Sequence, residues 1–155
     1  MCDYSLMAVP NRLAVCGEEL VGHRFDTGVI GFVSSSEARR LQQSRTKPKG
    51  LLEGIWWLLN PPQCRCTAVC IPPGARLLLR NVSDKLRREF GLENEAEEVV
   101  FTQTGVGIGF RDAIRIADGR EISMQRLNEG VKARVLSMSS AEDTIPALEE
   151  DFLRW

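Results

Sequence analysis

Three of the five cysteines in this 155-residue chain fall within seven residues, in the run Gln63-Cys64-Arg65-Cys66-Thr67-Ala68-Val69-Cys70. Thiols at this density could hold a soft metal ion, exchange a disulfide or fill space in a core. The segment reads as a β-strand. Alternation then puts Cys64, Cys66, Ala68 and Cys70 on one face and Arg65, Thr67, Val69 and Ile71 on the other. At ~3.3 Å per residue, Cys66 and Cys70 stand about 13 Å apart, too far to share one ion with sulfur ligands at ~2.3 Å. Cys64 and Cys66 are closer, about 6.6 Å apart, and form the one pair that thiol chemistry would use, with Cys2, Cys16 or His23 completing it. Free cysteine is among the most buried residue types, so core packing is the favoured reading and Cys70 belongs to the core. No cofactor or metal is expected; zinc on Cys64, Cys66 and Cys16 is the alternative.

Two further residues could be catalytic. Loss of Met1 would leave Cys2 with a free amine beside its thiol, the nucleophile and local base of an N-terminal cysteine hydrolase. His23 is the only histidine, which excludes sites needing two, such as HExxH zinc proteases. It alternates with Val21 and Phe25, as a half-buried strand residue does. Gly105, Gly107 and Gly109 lead into Arg111-Asp112 and another strand. A dinucleotide fingerprint needs a helix there, so the glycines form a bare strand face. Glu18, Glu19, Asp112 and Asp118 fall at turns, with no pair at a defined separation.

The strongest interaction signal lies between residues 39 and 62, an irregular insertion or contact region. Arg39, Arg40, Arg45, Lys47 and Lys49 precede an apolar run, Leu51 to Leu59, that carries Trp56 and Trp57. Exposed tryptophan beside basic side chains suits a partner surface. Burial of both indoles at one end of a barrel is the plainer alternative. Apolar spacing in the run suits a short helix stopped at Pro61.

The elements that must position these residues are short. Leu13 to Cys16, Glu19 to Phe25 and Val29 to Val33 read as strands, separated by Gly17-Glu18 and Asp26-Thr27-Gly28 turns. Ser34 and Glu37 have capping-box spacing and start a helix running to about Gln43. Pro73-Gly74 marks a type II turn, after which Ala75 to Leu79 pairs with the cysteine strand. Ser83 caps a helix that ends at Phe90-Gly91, and Glu93 to Glu98 is an acidic loop. Val99 to Thr104, Ala113 to Ile116, Glu121 to Leu127 and Val131 to Met138 make an antiparallel meander of three or four strands, with a hairpin at Asp118-Gly119. Ile145 to Trp155 has the spacing of a docking helix. The pattern predicts a mainly β domain over 1–155, an antiparallel barrel or sandwich with short helices; α+β is the alternative.

Composition limits the function. Apolar residues make up 43%, and 20 Lys plus Arg nearly balance 21 Asp plus Glu, for a net charge of −1. No global field draws in nucleic acid, which is an unexpected partner. No signal peptide or membrane span is read from the sequence, and an odd cysteine count fits free thiols in the cytoplasm. The expectation is a non-enzymatic binding or interaction domain for a protein or small molecule. A thiol-based metal or redox site and a Cys2 hydrolase are the alternatives.

Overall fold

The computed structural model describes residues 9–44, 50, 55, 66–104 and 110–138. Nine strands form one mixed sheet: β1 (Asn11–Leu13), β2 (Glu19–Arg24), β3 (Ile30–Ser34), β4 (Ala68–Cys70), β5 (Arg76–Arg80), β6 (Ala96–Gln103), β7 (Asp112–Arg115), β8 (Glu121–Ser123) and β9 (Lys132–Ser137). Their spatial order is β1-β4-β3-β2-β9-β5-β6-β7-β8. Two short helices, α1 (Ser35–Ser44) and α2 (Asp84–Phe90), and a 3-10 turn at Met124–Arg126 decorate it. The mainly β class with short helices therefore holds. The sheet is open, and β1 runs parallel to β4 where an antiparallel arrangement was expected.

Several turns form for the reasons their residues suggest. Ala75 N–H donates to Pro72 O at 3.2 Å and Gly74 has φ +90°, closing the Pro73-Gly74 turn. Asp118 accepts from Arg120 N–H at 2.9 Å, and Gly119 takes φ +88° in the β7–β8 hairpin. At the start of α1, Glu37 N–H donates to Ser34 Oγ at 3.2 Å. The Glu37 carboxylate also accepts from Thr67 N–H at 2.9 Å, tying the helix to the approach of β4.

Other expectations are corrected. The strand after Pro73-Gly74 does not pair with the cysteine strand: β5 lies between β9 and β6, with three strands between it and β4. Beyond the turn, Gly74 N–H donates to Phe101 O at 2.7 Å and Phe101 N–H to Ala75 O at 2.8 Å, drawing the chain onto β6. The acidic stretch is partly strand, because Glu97 and Glu98 pair in register with Leu79 and Leu78. The meander contains β6, β7 and β8, while β9 leaves it to lie between β2 and β5. Ser83 makes no side-chain cap; its N–H donates to Asn128 Oδ1 at 2.8 Å instead. The expected helices at 51–59 and 145–155, and the glycine run 105–109, lie outside the described residues, apart from an exposed helical Ile55.

Alternation splits the core in two. Leu20, Phe32, Val69, Leu77, Val99, Ile114 and Val135 lie in the larger cluster, which Leu86 and Phe90 of α2 help to fill. Val33 and Ala68, each adjacent in sequence to a member of that cluster, join Phe25, Val29, Leu41 and Cys66 in a smaller one under α1. One side chain links the 3-10 turn after β8 to β3. Gln125, in the 3-10 turn after β8, accepts from Ile30 N–H at 2.9 Å and donates to Ile30 O at 3.0 Å. That amide pairs with the backbone of β3 as a strand residue would.

The junction of β2 and β9 depends on Gly22. A Cβ there would sit 2.6 Å from Val131 Cγ1, and Val131 is fully buried. Gly22 N–H donates to Val131 O at 2.7 Å, and Gly130 N–H to Gly22 O at 2.8 Å. Gly22→Ala is expected to destabilise the protein by about 1–3 kcal/mol through overpacking, as read by urea denaturation. An unchanged midpoint would show that the backbone can yield there.

Candidate functional site

The structure separates the residues that looked chemical. Cys16 is exposed, and its Sγ donates to Leu136 O at 3.3 Å. Cys66 is a buried thiol, 6% exposed, in the cluster beneath α1. Cys70 is buried in β4 but is disulfide-bonded, a correction to its reading as a plain core thiol. Because Cys16 and Cys66 are both thiols, its partner lies outside the described residues, as do Cys2 and Cys64. Among the described residues, no three His, Cys, Asp or Glu side chains come together as a metal site.

His23 is buried at 9% exposure near the end of β2, further from solvent than the half-buried strand position expected. Its Nδ1 lies 3.4 Å from Glu129 Oε1, and its ring meets Phe25 edge-on at 5.2 Å. Cys16 precedes the opposite end of the same strand, so no dyad with His23 forms there. The turn carboxylates are also committed to structure. Glu18 binds Arg12 and the N–H of Val15, Asp112 accepts from Gln103 Nε2 at 3.0 Å, and Asp118 pairs with Arg120.

Of the expected basic contact region, Arg39 and Arg40 are exposed on α1, while Arg45, Lys47, Lys49, Trp56 and Trp57 lie outside the described residues. Arg39 borders a cleft of about 1050 Å³. Its walls are α1, through Ser35, Ala38 and Gln42, and α2 with the loop that follows. The outward face of β2, β9 and β5 forms its floor. Two charged rows cross that floor: Glu19, Arg134 and Leu78 are in register across the three strands, and so are Val21, Lys132 and Arg80.

Sequence reading missed Arg80, Lys132 and Arg134. They sit on strands 50 residues apart in the chain, and each alternates with buried neighbours in the pattern of ordinary solvent-facing positions. Only the register of β5 against β9 reveals that Arg80 faces Lys132. A second surface is apolar: Leu13 and Val15, each 62% exposed, lie near Leu136 and the Cys16 thiol. Its edge is blunted, since Arg12 donates to Leu13 O at 3.1 Å and Asn11 Nδ2 to Val9 O at 3.1 Å.

Compared with protein-family profiles, curated proteins and solved structures, the chain shows no significant match.

Two outcomes check this geometry. In native protein, iodoacetamide should modify Cys16 within minutes and Cys66 only on unfolding, while Cys70 should require prior reduction; rapid native labelling of Cys66 would contradict its burial. The second concerns acid. The hydrogen bond from Arg12, with the Val15 N–H, holds the Glu18 carboxyl below its ordinary value of 4.5 despite partial burial. A folded pKa below the unfolded one adds stability that is full above the unfolded value and vanishes as pH falls through the folded one. The gap in Tm between wild type and Glu18→Gln should therefore shrink from about pH 4.5 downward. A gap independent of pH would show that Glu18 acts through shape alone.

Proposed function

We propose that this protein is a non-enzymatic binding domain whose contact surface is the cleft beside α1. The observation that carries this is the cleft itself: a concavity of about 1050 Å³, lined by polar and apolar side chains and built on the paired strands β2, β9 and β5. Pockets for small ligands are concave, few and built on ordered elements. Arg39, at the head of the basic stretch that marked the contact region in the sequence, stands on the rim. The catalytic readings have no comparable support, because Cys16 is exposed at one end of β2 while His23 and Cys66 are buried in separate places.

Among the described residues, no helix is long and apolar enough to cross a membrane. A cytoplasmic location is carried by the exposed thiol of Cys16 and the odd cysteine count. The disulfide at Cys70 is the feature that a reducing compartment would work against.

Backbone NMR of the full chain, titrated with a panel of neutral fragments, tests the contact surface. Shifts are expected to cluster at Val21, Ala38, Leu78 and Arg134. Hits confined to the Leu13, Val15 and Leu136 surface would move the site to the β1 edge and end the cleft reading.

A further inference from the structure

The cleft floor carries a charge arrangement that folding does not explain. Arg80 of β5 and Lys132 of β9 are direct cross-strand partners on the outward face, both exposed. Like charges placed directly opposite one another destabilise a sheet. Arg134 follows Lys132 two residues on along the same face, and Arg39 lines the cleft from α1. None of these four cations makes an ion pair or a side-chain hydrogen bond with a described residue. Even Glu19, in register with Arg134, forms no ion pair with it. Five arginines outside the cleft, Arg12, Arg76, Arg115, Arg120 and Arg126, each hold a carboxylate. Arg39, Arg80, Lys132 and Arg134 all line the one concave surface.

We infer that the cleft binds a compact multivalent phosphate, ester or anhydride, seated between Arg80, Lys132 and Arg134 and flanked by Arg39. This rests on the cleft being the binding surface and specifies its ligand. Neighbouring cross-strand positions bring side chains within ~5 Å at Cβ, so one phosphate group can meet a lysine point charge and an arginine fork together. Glu19, Asp84, Glu95 and Glu97 also line the cleft and would repel a long polyanion. No aromatic side chain occurs among its described lining residues to stack a base. The ligand is therefore small, with its charge gathered at one end, and the volume leaves room for an organic part.

Calorimetric titration of the full chain at low salt, with inorganic pyrophosphate and with a sugar bisphosphate, tests this. Saturable binding is expected, weakening as salt rises, and lost about tenfold or more in Arg80→Gln/Lys132→Gln. Arg115→Gln, on β7 and paired with Glu121, should bind as wild type does. Tighter binding of the sugar bisphosphate would assign an organic phosphate, and tighter pyrophosphate an inorganic one; both support the inference. Without ligand, the double variant should melt at or above the wild-type temperature, because the like-charge pair is relieved. A lower melting temperature would make these cations structural and overturn the inference. So would failure of both anions to bind, or equal binding by the double variant. Neutral fragments mapping to the cleft in that event would leave the binding surface standing and remove only its anionic ligand.

Discussion

The close contact between Gly22 and Val131 is where the two halves of this protein become one sheet. To one side of β9 lie β2, β3, β4 and β1, built from the first half of the chain. To the other lie β5 to β8. The last described strand is thus inserted between the earliest and the middle ones, and both pairings must form together. The β2–β9 contacts join residues more than a hundred positions apart, such as Val21 and Lys132. They form only after long loops have closed, at a cost that rises slowly with length. Gly22 allows β9 to approach β2, and Asn81, Asn128 and Gly130 fix the turn that delivers it. Asn81 Nδ2 donates to Gly130 O at 3.0 Å, and Asn128 Nδ2 to Asn81 O at 3.1 Å. Asn81 holds φ +59°, a conformation asparagine tolerates better than most residues.

The same junction builds the cleft floor. Once β9 lies between β2 and β5, its outward residues Lys132 and Arg134 face Val21, Glu19, Arg80 and Leu78. Their inward neighbours Ala133 and Val135 complete the core. Stability and the candidate site therefore share one strand and differ only in which face is read. At the C-terminal end of α2, charge serves packing. Arg120 and Arg126 lie over the ring of Phe90, at 5.2 and 5.4 Å, and are neutralised by Asp118 and Glu89. Arg120 also donates to Phe90 O at 2.7 Å and so satisfies a carbonyl at the end of α2. Those arginines are anchored by aromatic and acidic contacts, and neither Arg80 nor Arg134 makes such a contact with a described residue.

Local chemistry was legible in the sequence, and long-range pairing was not. Pro73-Gly74, Asp118-Gly119, Ser34 with Glu37, and Gly91 after α2 all marked real turns or helix ends, because each acts within four residues. The strand positions from Glu19 to Arg24 and around Val99 followed from alternation alone. Partner choice did not: Ala75 to Leu79 seemed bound to the cysteine strand beside it, yet Phe101 captures the chain at the turn. Arg39 drew attention in the sequence because basic residues cluster near it, and the structure puts it on the cleft wall. Arg80, Lys132 and Arg134 did not, since only the register of β9 assembles them. The length of the cysteine strand was overread: among the described residues it covers Ala68–Cys70, with Cys66 preceding it.

That strand nonetheless matters to the site, by position more than by thiol chemistry. Cys66 and Ala68 pack with Val33, Leu41 and Phe25 beneath α1, and Glu37 binds the Thr67 N–H between them. These contacts seat α1 against the outer face of β3 and β4, with Ala38 packed at their edge. The residue after Ala38 is Arg39, so the helix that the small cysteine face anchors also carries the cation on the cleft wall. A bulkier side chain at position 66 or 68 would push α1 outward and widen the cleft, with no functional atom changed. Small, uniform residues on that face are what a helix lying close to a sheet requires. Cys66 and Ala68 thus act as a packing surface that sets the position of α1.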